Sequence, residues 1–217
     1  MASLKIWFRE NWALRVVAGF LLAAVVLAAI GWLVTGPGRG TASGFDAAIR
    51  GAVRQIQSPM WTGLFLTVTK LGSTVYLWIV GAAAGIAFIF LRWFRPLALL
   101  MLVMAGQAVL HYGAKWFIAR PRPSALINYP AAESFSFPSG HAIGTLCLYA
   151  TIAWAVGNRV ETAAAKIGVW VFAGVLIFLI GVSRVYIGVH YPTDVLAGYL
   201  AAAIWTAAVM SLDRTDV

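Results

Sequence analysis

Residues 16–38 read VVAGFLLAAVVLAAIGWLVTGPG and contain no charged side chain. A helix needs about 17–25 mostly apolar residues to cross a bilayer. This run is long enough, and it is longer than the roughly 7–15 residues of a secretory signal's apolar core. It therefore reads as a retained membrane anchor, although Lys5, Arg9 and Arg15 precede it. Five further charge-free runs follow, at 71–91, 96–114, 134–158, 167–183 and 195–212. Strict alternation of polar and apolar residues is missing from them, which argues against a lipid-facing barrel and leaves helices. The expected fold is all-α: a polytopic membrane protein with six transmembrane helices in one bundle. The spans are expected near 14–34, 72–91, 96–117, 140–157, 164–183 and 193–211, within a single domain over 1–217.

Composition agrees. Apolar residues make up 62% of the chain, charged residues 11%, and the mean hydropathy is +0.86. Soluble domains carry about 45–50% apolar and about 25% charged residues. A soluble enzyme, a disordered chain and a disulfide scaffold are all excluded; the single cysteine, Cys147, reads as a small core residue. The net charge of +9 sits at the ends of apolar spans, where it suits lipid headgroups and topology rather than nucleic acid.

Between the spans, residues 35–44 read as a turn-rich loop. Residues 45–57 place Phe45, Ile49, Val53 and Ile56 near helical spacing with Arg50 and Arg54 among them, which predicts a short helix at the interface. Residues 55–69 read as too short and too polar for a span. With the N-terminus inside, eight Lys and Arg fall on each side. Setting aside three outer cations with a chemical role leaves eight against five, in favour of an inside N-terminus.

Charges are costly within a membrane, so their placement is informative. Three segments hold the unusual ones: Lys115 to Arg122-Pro123 after span three, Pro138-Ser139-Gly140-His141 opening span four, and Ser183-Arg184 to His190 and Asp194 between spans five and six. Six spans put all three on one side of the membrane. Lys115, Arg122 and Arg184 supply cations suited to phosphate oxygens. Ser139-Gly140 lies at a helix start, where free N–H groups and the dipole favour an anion. Asp194, four residues after His190, can hold its Nδ1–H and leave Nε2 free to attack. His141 is a second imidazole, available as an acid for the leaving oxygen.

These residues resemble the signature of the type 2 phosphatidic acid phosphatase superfamily of integral membrane lipid phosphatases: K-x6-R-P, P-S-G-H and S-R-x5-H-x3-D. Every specified position is filled. The resemblance implies that His190 is the nucleophile and forms a phosphohistidine, with Asp194 orienting it. It implies that His141 protonates the leaving group and then activates water. Lys115, Arg122 and Arg184 would hold the phosphoryl oxygens, with Ser139 and the Gly140 N–H completing the cradle. The family needs no metal or other cofactor, and the seven acids here are scattered along the chain.

Other polar residues leave alternatives open. Gln107, His111 and Lys115 form an i, i+4 stripe on span three. There His111 either makes a structural interhelical hydrogen bond or lies behind the site. Arg120 either touches a second phosphate or faces headgroups. Glu133 reads as a solvated loop charge or a headgroup contact. The expected function is hydrolysis of a lipid phosphomonoester or diphosphate in a bacterial inner membrane, at a site facing the extracytoplasmic side. Undecaprenyl diphosphate ranks first. Phosphatidylglycerophosphate, phosphatidic acid and lipid phosphotransfer follow, and a non-catalytic lipid-phosphate binder or transporter is the rival from another class. The expected partners are a lipid phosphate substrate and membrane lipids, with no nucleic acid; the sequence carries no sign of oligomeric state.

Overall fold

The computed structural model describes residues 11–130 and 134–215, and Glu133 lies outside them. Eight α-helices occur among the described residues: α1 Trp12–Thr35, α2 Arg39–Gln55, α3 Pro59–Lys70, α4 Thr74–Phe90, α5 Phe94–Ile118, α6 Gly140–Gly157, α7 Ala163–Ile187 and α8 Pro192–Met210. A 3₁₀ turn, Ser211–Thr215, follows them, and the described residues contain no strand. Five helices, α1 and α5 to α8, are long and apolar enough to cross a membrane. Together α3 and α4 pass the same test as a pair bent by 51° at their junction, which gives six candidate spans when the pair is counted as one.

The bundle is apolar on its outside. Leu21, Leu22, Val25, Trp78, Phe90, Phe117 and Phe172 are all more than half exposed, as befits side chains whose solvent is lipid tails. Without a hydrophobic drive between helices, close contact comes from small residues. In α1 the inward stripe is Gly19, Ala23, Leu27, Gly31 and Val34. A Cβ on Gly19 would stand 2.2 Å from Ala208 Cβ on α8, and one on Gly31 would stand 2.4 Å from Ile118 Cδ1 on α5. Helix α6 is the most buried span and packs on α5, α7 and α8. Its first turn, which carries His141, therefore stands among neighbouring helices rather than at the lipid-facing edge.

Three local features differ from the sequence expectation, and each is explained by a tertiary contact. Residues 39–44 are helical, so α2 begins within the expected loop. The inward face of α2 buries Ala42, Asp46 and Arg50, and Ile49 and Val53 pack on Val185 and Val195; that anchorage outweighs the low helix propensity of its glycines. Phe45 and Ile56 are exposed, so two charged residues share the buried face of a helix expected to lie at the interface. Residues 59–70 are helical as well. Ser58 caps α3 by accepting from the Trp61 N–H at 3.4 Å, and Pro59 fills its first position. The break before α4 falls at Gly72, where a Cβ would stand 2.4 Å from Ile180 and 2.9 Å from His141 Cδ2. Finally, α7 extends to Ile187, a turn beyond the expected end at 183. It stops at Gly188, whose φ of +88° and contact with the Leu126 backbone only glycine accommodates.

Candidate active site

The site forms at one end of the bundle. It draws on the last turns of α5 and α7, the first turns of α6 and α8, the turn 188–191 and the loop after α5. The structure brings together the three segments singled out in the sequence, and it adds α2 and the end of α3.

His190 lies in the turn between α7 and α8 and is 2% exposed. Its Nε2 is 3.2 Å from Arg122 Nη1. A guanidinium can only donate, so this Nε2 is the unprotonated acceptor and the ring proton resides on Nδ1. Nδ1 faces Asp194 Oδ2 at 3.5 Å, beyond the range of a formed hydrogen bond, and has no other partner. Burial pushes the His190 imidazole down to about 4. Asp194 opposes that shift, and Arg122 and Arg184 add to it. The His190 imidazole is thus neutral at ordinary pH, with its lone pair aimed at a cation.

Arg122 is held by the loop and the turn. Its Nε donates to Ser134 O at 2.7 Å, its Nη2 to Ser134 Oγ at 3.0 Å and its Nη1 to Val189 O at 2.9 Å. Burial and the neighbouring Arg184 lower its affinity for its proton, against the pull of Asp194. Lys115 Nζ donates to Phe135 O at 3.0 Å. Arg184 donates to Thr69 Oγ1 at 2.7 Å, its guanidinium lies 5.7 Å from the Tyr129 ring, and its Nε has no partner. Among the described residues no carboxylate lies within ion-pair distance of Lys115, Arg122 or Arg184. Three buried or half-buried cations without counter-charges make a site for a multiply charged anion.

His141, on the first turn of α6, sits in the crook of the α3–α4 bend beside Gly72, with Arg184, His190 and Arg122 acting on it electrostatically. Ser139 is fully buried. Its N–H donates to Asp194 O at 3.1 Å, and its Oγ faces the Ala142 N–H at 3.5 Å as the cap of α6. The hydroxyl is therefore turned into the helix start. Gly140 lies against His111: a Cβ there would stand 2.8 Å from His111 Nε2 and 2.9 Å from Cε1. That Nε2 is buried and has no hydrogen-bond partner, so it makes no interhelical hydrogen bond.

Arg120 takes neither of the roles open to it in the sequence. It is buried between two carboxylates, 2.6 Å from Asp194 Oδ1 and 2.8 Å from Asp46 Oδ2. Asp194 also accepts from the Ser136 hydroxyl and, at 2.9 Å, from the Tyr191 N–H. Asp46, Ser136, Thr193 and Thr69 escaped the sequence reading. Only Asp46 left a trace there, as the single acid in the helix expected at 45–57 on the side of the three segments.

A family model described as the PAP2 superfamily matches residues 96–216. Phosphatidylglycerophosphatase B of Bacillus subtilis (strain 168) is 34% identical over 172 residues, which cover 78% of this chain and 83% of that protein. An undecaprenyl-diphosphatase of Sulfolobus acidocaldarius is 29% identical over 162 residues, covering 72% and 73%. The crystal structure of a transmembrane PAP2-type phosphatidylglycerolphosphate phosphatase from Bacillus subtilis matches with a TM-score of 0.76 at 30% identity. That match covers 94% of this chain and 98% of the other.

Proposed function

The chain belongs to the PAP2 superfamily, and from that premise we propose that it removes phosphate from a lipid phosphomonoester or diphosphate through a phosphohistidine on His190. The observation that carries this reading is His190 Nε2 set 3.2 Å from Arg122 Nη1, among cations that no carboxylate of the described residues pairs with. In the first step Nε2 attacks phosphorus and the bond to the lipid oxygen breaks. His141 gives its proton to that oxygen, and Asp194 offsets the positive charge left on the His190 ring. Lys115, Arg122 and Arg184 stabilise the charge on the three equatorial phosphoryl oxygens, and the N–H at Gly140 joins them. In the second step His141 takes a proton from water. The hydroxide attacks phosphorus, the N–P bond breaks and inorganic phosphate leaves. No step uses a metal ion.

The identities and coverage of the relatives favour phosphatidylglycerophosphate as the substrate, ahead of undecaprenyl diphosphate, which ranks first from sequence alone. The catalytic groups lie at the membrane end reached by the outer ends of α5 and α7 if the N-terminus is inside, as the Lys and Arg count favours. Substrate would then come from the extracytoplasmic leaflet of a bacterial inner membrane. The test is phosphate release by purified protein in detergent from phosphatidylglycerophosphate, undecaprenyl diphosphate and phosphatidic acid. The highest kcat/KM is expected for the first. Release from none of the three, with the fold intact, would overturn the proposal.

A further inference from the structure

Asp46 stands on α2, outside all three segments that carry the catalytic groups, yet it is 1% exposed and fully bonded. Its Oδ1 accepts from the Thr193 N–H at 3.0 Å. Its Oδ2 accepts from Thr193 Oγ1 at 2.8 Å and from Arg120 Nη2 at 2.8 Å. On its other side Arg120 donates through Nη1 to Asp194 at 2.6 Å and to Thr193 Oγ1 at 2.8 Å. The guanidinium also lies 3.9 Å from the centre of the Tyr191 ring, next to His190 in the chain. One buried cation therefore joins two buried carboxylates and braces the turn that holds the nucleophile.

Charge decides what this arrangement does. A buried Arg120 paired with Asp194 alone would be a neutral couple. Little of the carboxylate's field would then reach His190, whose Nδ1 is 3.5 Å from Oδ2. With Asp46 present the three groups sum to one negative charge. Arg120 can then clamp Asp194 in place while the cluster keeps a net negative charge for the imidazole. We infer that Asp46 is a positioning residue for the nucleophile, acting through Arg120 to hold Asp194 and to preserve its charge. This inference rests on His190 being the nucleophile.

The other charged and titratable groups around His190 and Asp194 are cationic or neutral. They are Arg50 on α2, His111 and Lys115 on α5, Arg122 on the loop, His141 on α6 and Arg184 on α7. Among the described residues Asp46 and Asp194 are thus the only acids in this cluster, and losing one carboxylate leaves Arg120 and the other as a neutral couple. Arg50, whose own donors go to Gly188 O at 3.2 Å and Ser124 O at 2.8 Å, would remain.

The test compares Asp46→Asn and Asp46→Glu with the wild type in detergent, using one phosphomonoester across pH. The variant-to-wild-type ratio of kcat is read, so that the substrate's own ionisation cancels. Asp46→Asn is expected to lower kcat by about 10–100-fold on the plateau, as removal of groups that orient a reactive residue does, with KM little changed. Without the negative charge, His190 takes up its proton at lower pH. The ratio should therefore climb as pH falls through the acid limb. Asp46→Glu keeps the charge but displaces the clamp, so its ratio should be lowered and flat with pH. A flat ratio for a folded Asp46→Asn would overturn the inference, because a merely structural role predicts it. Should Asp46→Asn not fold, a sloping ratio for Asp46→Glu would overturn it. Full activity in His190→Ala would instead remove the functional reading beneath it, and that outcome is distinguishable from the others.

Discussion

Arg122 Nη1 stands 3.2 Å from His190 Nε2 and also bonds the carbonyl of Val189, the residue before that histidine. In the proposed mechanism, the cation that grips the phosphoryl group thus rests on the atom that attacks it. Substrate binding has to draw this Nη1 onto a phosphate oxygen, which frees the lone pair. Lysine, a single point charge, cannot span Ser134, Val189 and the phosphate together. Arg122→Lys is expected to lower kcat by about 10²–10³-fold, the usual loss of one charge-stabilising donor. Steady-state kinetics on membranes or purified protein would check this, and near-normal kcat would contradict the assignment.

The two histidines are assigned different work. His190→Ala should abolish turnover, while His141→Ala should lose about 10²–10⁴-fold, the value of general acid catalysis. That loss should shrink for a phosphoester whose leaving group needs no proton. Brief mixing with ³²P-labelled substrate and an alkaline quench should leave acid-labile label on His190. Label on Ser139 would show the roles to be wrong, and the buried, capping hydroxyl of Ser139 argues against that result.

Burial holds the His190 imidazole near 4 against an ordinary 6.5. Two pH effects follow, both set by this window. His190, the proposed nucleophile, is neutral above it, so activity should fall as pH drops through about 4 rather than through 6.5. Stability behaves differently. Between 6.5 and about 4 the unfolded chain binds a proton at this residue that the folded protein does not. Its contribution to stability is therefore complete above 6.5, is lost as pH falls across the window and changes no further below it. Thermal unfolding in detergent at several pH values should show this slope in the wild type and less of it in His190→Gln.

Gly140 has no side chain because His111 occupies the space. Gly140→Ala would drive a methyl to 2.8 Å from His111 Nε2, pushing the imidazole or the first turn of α6 aside. Activity should drop sharply while the protein still folds. Adding His111→Ala should restore part of what Gly140→Ala removed, a coupling that a double-mutant cycle would measure. Simple additivity would mean that the contact is not what limits the site.

Orientation in the membrane can be read with thiol chemistry, because the native Cys147 is buried and gives little background. Asn128 and Glu161 are both exposed, at opposite ends of the bundle. A cysteine at 128 should react with an impermeant maleimide added outside intact cells, and one at 161 should not. The reverse pattern would place the site in the cytoplasm.

The spans and the convergence of three segments were legible in the sequence because charge-free length and motif spacing are local properties. Lys115, Arg122, His141, Arg184, His190 and Asp194 could be named for the same reason. Asp46 could not, since nothing local distinguishes a solvated acid on an amphipathic helix from one locked against an arginine 74 positions away. Thr69 was hidden similarly: the helix that carries it has only 12 residues, and it passes as part of a span only in company with α4. Ser139 was legible as a helix start. The inward turn of its hydroxyl depends on how α6 and α8 meet.

The family model begins at residue 96, yet Asp46, Thr69 and Gly72 all lie before that point and all touch the chemistry's surroundings. The part of the chain that the family model matches is therefore not a portable module. Transplanting residues 96–216 onto a foreign membrane anchor would carry over every side chain to which the proposed mechanism gives a chemical step. It would leave Arg120 with one carboxylate too few, Arg184 without its hydroxyl and His141 without the bend it sits in.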